Sequence, residues 1–192
     1  QYSPRQAERS EWERELQEVL PMCVRKDEAT LVLFPSRRLL QRNTDALRKR
    51  FGSAVLVQGM LPIATLTETH RARVDAGQAS ILCGLDSLAE GLDLPGRYCT
   101  HVVIVALPFA PPVTPVERRY QAILRNRYFP ERAMPDAMLK LKQMVGRLLR
   151  SEKDRGRITV LDSRLASTRW GRQMLDSLPP FQLREEPVDL VS

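Results

Sequence analysis

Thiols are few in this sequence and never paired: Cys23, Cys83 and Cys99 are isolated, and no CxxC occurs. His70 and His101 have no neighbours at ligand spacing, so no metal site is expected. Scattered thiols in odd number fit a reducing compartment, and all three read as structural. Long apolar runs are missing too. The longest, VVIVAL at 102–107, is a strand's length and far short of the roughly 18 residues a membrane span needs. Nothing at the start has the order of a signal peptide, so a cytoplasmic protein without a membrane partner is expected. The chain opens on Gln1 without a methionine, which leads us to expect a piece of something longer. No G-x-x-x-x-G-K-[ST] and no D-E-A-H sequence appear. A chain without a phosphate cradle or a carboxylate pair for magnesium is not expected to hydrolyse a nucleoside triphosphate alone. No internal repeat or low-complexity tract is present.

Lysine is scarce against arginine: five of the 30 basic residues are lysine. The 192 residues carry a net charge of +7, and 43% are hydrophobic, enough for the core of one ordinary domain. The basic balance favours an anionic partner, with nucleic acid the default. Arginine suits that partner because its planar fork matches phosphate oxygens and stacks on bases. Equally, a GC-rich genome would supply arginine with no partner implied.

The apolar pattern alternates short strands with helices. Residues 6–20 read as a surface helix or connecting arm, ended by Pro21. TLVLFPS (30–36), AVLVQG (54–59), SILCGL (80–85), HVVIVAL (101–107) and RITVLD (157–162) read as strands. Helices are expected over 37–50, closed by Gly52, over 65–76, closed by Gly77, over 116–127, from Pro135 to about residue 150, and over 169–178. Residues 86–96 read as a loop. The pattern predicts an α/β domain whose mostly parallel sheet is covered by helices on both faces. Ligands in such sheets gather at the carboxyl ends of the strands, which points to the loops after the third and fourth strands.

QMVGRLLRSEKDRG (143–156) carries the densest chemistry. On a continuous helix with Gln143 at zero, Arg147 falls at about 40° and Arg150 at about 340°, one narrow stripe. Met138, Leu141, Met144, Val145, Leu148 and Leu149 fill the arc that meets the core. Gly146 borders the stripe and leaves its backbone open to close approach. Two guanidinium forks and an amide suit a polyanion that gains charge during reaction. A solvated arginine face is the plain alternative.

The Q-x-x-G-R-x-x-R pattern resembles motif VI of superfamily 2 helicases. ILCGLDSLAEGLDLPG (81–96) resembles their motif V and TLVLFPSRRLLQ (30–41) their motif IV, in the family's order and spacing. S-x-A-E-G-L-D-L-x-G, V-G-R-L-L-R-S, L-D-S-R-L and the trailing GRQMLDSLPPF (171–181) are similar to the DinG branch of the XPD/Rad3-like helicases. The resemblance covers about residues 30–181. It implies a RecA-like three-layer α/β fold: the second motor domain of an ATP-dependent 5′→3′ DNA helicase acting in DNA repair and replication, in the bacterial cytosol or nucleoid.

By the same resemblance, Arg150 is the arginine finger on the γ-phosphate, Arg147 a second phosphate or cleft contact and Gln143 a sensor of bound nucleotide. Glu90, Gly91 and Asp93 of motif V, with Gly146, border the nucleotide, Gly91 permitting the tight turn between the two acids. Ser36, Arg38 and Ser87 touch the DNA backbone. ATP and Mg2+ would be bound jointly with a first RecA-like domain of the same parent chain, and single-stranded DNA is the expected partner. The family's iron–sulphur cluster hangs from that first domain on four cysteines, and the three thiols here cannot form it.

The expected organisation is an N-terminal helical arm (1–28) leading to the first motor domain, the RecA-like domain (29–181) and a tail (182–192). Within the domain, residues 108–134 form an elaboration between motifs V and VI. There Arg118, Arg119, Arg125 and Arg127, with Tyr120, Tyr128 and Phe129, either clamp single-stranded DNA or form a packed helical elaboration with a solvated basic face. Trp12 and Trp170 read as packing residues. Two other functions fit: a DNA-binding or regulatory module with the same fold and no ATPase role, and a related translocase fused to a nuclease.

Overall fold

The computed structural model describes residues 6–110, 113–148 and 155–184. Its five strands are β1 (Ala29–Phe34), β2 (Val55–Val57), β3 (Ser80–Leu85), β4 (His101–Ile104) and β5 (Arg157–Val160). They form one all-parallel sheet in the order β2-β3-β1-β4-β5. The helices are α1 (Gln6–Cys23), α2 (Arg37–Phe51), α3 (Ile63–Asp75), α4 (Leu88–Gly91), α5 (Pro115–Leu124), α6 (Met134–Val145), α7 (Arg164–Ser167) and α8 (Arg169–Asp176).

The strands look continuously apolar because both faces are covered, and their side chains divide with period two. Leu31, Leu33, Leu82, Val102 and Ile104 join a core with α3, α4, α6 and α8. Val32, Phe34, Ile81, Cys83 and Val103 join a second core with α1 and α2 on the opposite face. Leu33, Phe34, Ile81 and Leu82 have no exposed surface, and each such burial contributes roughly 1.5–3 kcal/mol. The result is the three-layer α/β fold expected from the alternation.

Several boundaries differ from the sequence reading. α1 runs through Pro21 to Cys23. A proline removes one helical hydrogen bond, and here, close to the helix end, that loss is offset by burial of Leu20 and Val24. α1 also buries Leu16 against α2, so its described part is a helix packed on the surface of the domain. Residues 88–91 of the expected loop are a short helix. β4 ends at Ile104 and β5 at Val160, shorter than their apolar runs, although the N–H groups of Val105 and Leu161 still bond to Leu33 and Ile104. The described part of α6 ends at Val145, not near residue 150. α2 does close on Gly52, at φ 57°, and Gly77 follows α3 at φ 67°, left-handed conformations that favour glycine.

The buried polar groups are built in. His70, fully buried, sits 2.8 Å from the Ser80 hydroxyl and 2.8 Å from the Tyr98 carbonyl oxygen, and burial holds its pKa down. Cys83 is fully buried, which pushes its thiol up to about 12, and Cys99 is buried in the other core just before β4. Trp12 and Trp170 pack against the two cores, as their sequence context indicated.

Candidate functional site

The candidate residues lie on three segments: the turn after β1, the segment after β3 and the end of α6. β1 stops at Phe34, and Pro35 turns the chain outward into α2. Ser36 is the N-cap of α2, its Oγ accepting from the Leu39 N–H at 3.3 Å, so the hydroxyl already has a structural use. Arg38 is committed too. It donates to Glu13 of α1, as does Arg42 at 2.7 Å, while Glu13 itself is 7% exposed. Arg38 thus braces α1 against α2, with half its side-chain surface left to solvent, and it does not join the other site residues.

β3 leads into the second segment. The Gln58 amide oxygen accepts from the Leu85 N–H at 2.7 Å, and the Asp86 N–H donates to the Phe34 carbonyl at 3.0 Å, tying the ends of β1 and β3 together. Leu88, Ala89, Leu92 and Leu94 are buried, whereas Ser87, Gly91 and Asp93 face outward, so the apolar positions pin the loop and present the polar ones. The side chain of Glu90 lies outside the described residues. Gly91 has no positive φ, and an added Cβ would meet nothing within 4 Å. The turn therefore does not itself require glycine, contrary to the expectation; the bare backbone only leaves room for something approaching from outside. Asp93 is 72% exposed and is held by Arg71, which donates to its carbonyl and, at 3.2 Å, to its carboxylate. Arg71, on α3 and 5.4 Å from the Tyr98 ring centroid, was not singled out from the sequence, where it is one arginine of many.

The third segment is the end of α6. Leu141, Met144, Val145 and Leu148 are buried and Gln143 is exposed, as the helical arc predicted. Beyond Val145 the geometry changes. The N–H groups of Arg147 and Leu148 donate three residues back, to Met144 at 3.1 Å and Val145 at 3.0 Å, so the last turn is tightened. The even 100° step from Gln143 is therefore not kept through Arg147 and Leu148. Gly146 closes the helix with ordinary right-handed φ, where an added Cβ would come 3.2 Å from the Lys142 carbonyl. Arg147 turns toward the second segment and donates to the Leu92 carbonyl at 3.2 Å, next to Asp93, while its Nε is buried without a partner in the protein. Arg150 lies outside the described residues. Arg147 thus meets the loop of Leu92 and Asp93, with Gly146 beside it in the chain and Gln143 one turn earlier on α6.

Gln143 also borders an open cleft of about 290 Å³, walled by Pro35, Asp86, Ser87, Phe109 and Lys140. Asp86 is the group here that sequence reasoning missed. Burial pushes its carboxyl up to about 6, against some lowering by Lys140, and its Oδ1 is buried with no hydrogen-bond partner in the protein. Its position directly after β3 was the available signal. Phe109 belongs to an aromatic cluster, 5.7 Å from Phe129 in a stacked arrangement and 5.2 Å from Trp170 edge to face.

That cluster anchors the elaboration. No residue of α5 is fully buried, so this helix lies on the surface, tied down through Glu117 to Arg132. Arg118, Arg119 and Arg125 are exposed, as is Arg127, which pairs with Glu131 at 3.4 Å. Tyr128 is buried and donates to Glu117 at 2.9 Å; Phe129 is taken up by Phe109 and Trp170; Tyr120 is exposed with Arg132 over its ring. Among the described residues, no three His, Cys, Asp or Glu side chains are grouped to hold a metal ion, and no helix is long and apolar enough to cross a membrane.

The family model for the helicase C-terminal domain matches residues 19–181. The ATP-dependent DNA helicase DinG of Photobacterium profundum is 38% identical over 169 residues, which cover 85% of this chain and 24% of that protein. DinG of Escherichia coli is 39% identical over 161 residues, covering 82% of this chain and 22% of that protein. The chain thus spans about a quarter of the length of the curated relatives it matches. An apo structure of XPD superposes with a TM-score of 0.59 at 22% identity, over 92% of this chain and 36% of that one. Domain 2 of the DEAD-box helicase Mss116p, solved on an RNA duplex, gives 0.52 at 14% identity, over 95% and 59%. At those identities the likeness is one of fold, and the fold is RecA-like.

Proposed function

This chain belongs to the helicase C-terminal domain family, and we propose that it works as the second motor domain of an ATP-dependent DNA helicase of 5′→3′ polarity. In this reading it supplies one side of an ATP site whose other side, with the phosphate cradle and the magnesium ligands, lies in a first motor domain. The observation that carries the reading is the bond from Arg147 to the Leu92 carbonyl. It joins the end of α6 to the loop of Asp93, two segments separated by a whole strand and the elaboration. A guanidinium with a buried, unpartnered Nε beside an outward carboxylate and an open backbone at Gly91 is a donor set suited to a nucleotide's phosphate and ribose. A solvated arginine face has no need of that arrangement.

Arg150, a few residues beyond Arg147, then reaches the γ-phosphate across the domain cleft and stabilises the charge that develops as the phosphoryl group transfers. Gln143 reports the nucleotide from the same helix. Ser87, exposed at the cleft rim, and Ser36, at the N-terminus of α2, grip the backbone of a single strand, where hydroxyls and backbone amides contact phosphate without reading sequence. Arg38 contributes to that track only with the exposed half of its side chain. Closure of the two motor domains on ATP and their opening after hydrolysis moves the grip along the strand.

The test is ATP turnover by the full-length parent chain with and without single-stranded DNA, comparing wild type with Arg150→Ala and measuring strand binding alongside. The expected outcome is a loss of roughly 10³–10⁵ in turnover with strand binding retained. Turnover near wild type would leave the arginines as a solvated face and the domain as a binding or regulatory module.

A further inference from the structure

The cleft at the ends of β1, β3 and β4 contains two groups of opposite character a short way apart: the half-buried Asp86 carboxyl and the exposed Lys140 ammonium. The Phe109 ring, Pro35 and Pro108 add apolar wall. At about 290 Å³ the space is at the small end of ligand-sized cavities. Oδ1 of the half-buried Asp86 carboxylate is closed off, which leaves its other oxygen for a hydrogen-bond donor in the cleft, and the ammonium calls for an anion. Neither a simple anion nor a simple cation satisfies both, because each is repelled by one of the pair. A ligand that is flat and apolar in its body, with a donor at one edge and a phosphate at the other, satisfies all three walls. That is a nucleotide.

Resting on the reading of this face as part of a strand track, we propose that the cleft seats one nucleotide of the bound strand, its base on Phe109, its phosphate toward Lys140 and an amino group of the base on Asp86. The track is then not indifferent to sequence at that position. Cytosine presents an amino donor flanked by an acceptor nitrogen, and adenine and guanine also carry amino donors. Thymine offers only a ring N–H between two carbonyl oxygens, which would face the carboxylate. Phosphate contacts at Ser36 and Ser87 position the strand, and Asp86 discriminates. The aromatic wall supports stacking of any base, because Phe109 is itself held by Phe129 and Trp170.

The experiment measures binding of the full-length parent chain to dC15 and dT15 at pH 7.5, for wild type, Asp86→Asn and Asp86→Ser. Both strands are pyrimidine, so neither stacking nor strand folding dominates the comparison. Wild type is expected to hold dC15 about five- to tenfold more tightly than dT15, one charge-assisted hydrogen bond's worth. Both variants are expected to bring the ratio near one while keeping dT15 affinity, which also shows that they fold. Equal binding of the two strands by wild type would overturn the proposal and leave the motor reading standing. So would a ratio that survives both substitutions. Binding of neither strand would overturn the track itself. Displacement of dC15 by free dCMP at matched nucleotide concentration would assign the cleft to a free nucleotide and overturn the strand proposal too.

Discussion

Replacing Asp86 by asparagine should stabilise this domain, with a gain that grows from about pH 4 to about pH 6 and is full above that. The carboxyl stands at the end of β3 with Oδ1 buried and unpartnered, and burial raises its pKa from 3.8 to about 6 despite the opposing charge of Lys140. A raised acid means that the folded chain binds the proton more tightly than the unfolded one. Stability therefore falls as pH rises from about 4 to about 6, and the full cost is carried above that window. Two units correspond to about 3 kcal/mol. The carboxyl borders an open cleft, so solvent relieves part of this, and about 1–2 kcal/mol is the expected penalty at pH 8. Asparagine keeps the size and removes the charge. Urea unfolding of the 192-residue chain should show the variant's midpoint raised by about 0.5–1 M at pH 8, with the difference shrinking toward zero at pH 4.5. Groups that titrate alike in both proteins cancel in the comparison. An equal shift at both pH values would mean the charge is not the cause. No gain at pH 8 would mean the carboxylate is better solvated or paired than its surroundings indicate.

Two glycines should separate ligand approach from folding. Gly91→Ala should leave the melting temperature within a degree or two, since nothing stands within 4 Å of the added methyl, and lower ATP turnover in the parent chain. Gly171→Ala should cost about 3 kcal/mol or prevent folding, because its methyl would collide with the backbone oxygens of Arg164 and Leu165. Asp162 gives the opposite pH sign to Asp86: burial alone would raise it, but the Arg164 guanidinium and the Leu107 N–H hold it below the usual range. Its stabilisation is present above the unfolded value near 4 and is lost as pH falls through the lowered folded value, so Asp162→Asn should destabilise at pH 7 by about 1–3 kcal/mol and by less in acid, read by the same urea series.

How legible the site was depended on the kind of signal. The strands could be read because both faces are buried, which makes each a bounded apolar run. Their side chains' division between two cores could also be read, from period two alone. The end of α6 was harder to read. Apolar spacing continues smoothly through Leu148, so the sequence looks helical past the point where the hydrogen bonds shorten to three residues. The pairing of Arg38 with Glu13 could not be read, because nothing in the neighbourhood of Arg38 shows that a residue 25 positions earlier would come to meet it. Arg71 and Asp86 share that difficulty. An arginine in a chain with 25 of them, or an aspartate before a serine, acquires a role only when a distant element arrives, and such meetings leave no local period in the sequence.

Arg147 shows what such a meeting does for a motor. Its bond to the Leu92 carbonyl ties the end of α6 to the loop of Asp93. In the proposed function a nucleotide contact at either would be felt at the other, and domain closure would move a preassembled surface as a body. A charged donor to a carbonyl is worth about 1.5–3 kcal/mol, and its loss in Arg147→Ala should let the loop open more often by about tenfold or more. Amide exchange over residues 88–94 should rise accordingly, with the sheet unaffected because β3 and β1 remain bonded to each other. Turnover in the parent chain should fall along with the loop's protection. Arg150→Ala, which leaves the latch in place, should abolish turnover with exchange over 88–94 unchanged. If exchange there is unaltered in Arg147→Ala while turnover falls, Arg147 acts on phosphate directly and the latch has no part in the motor.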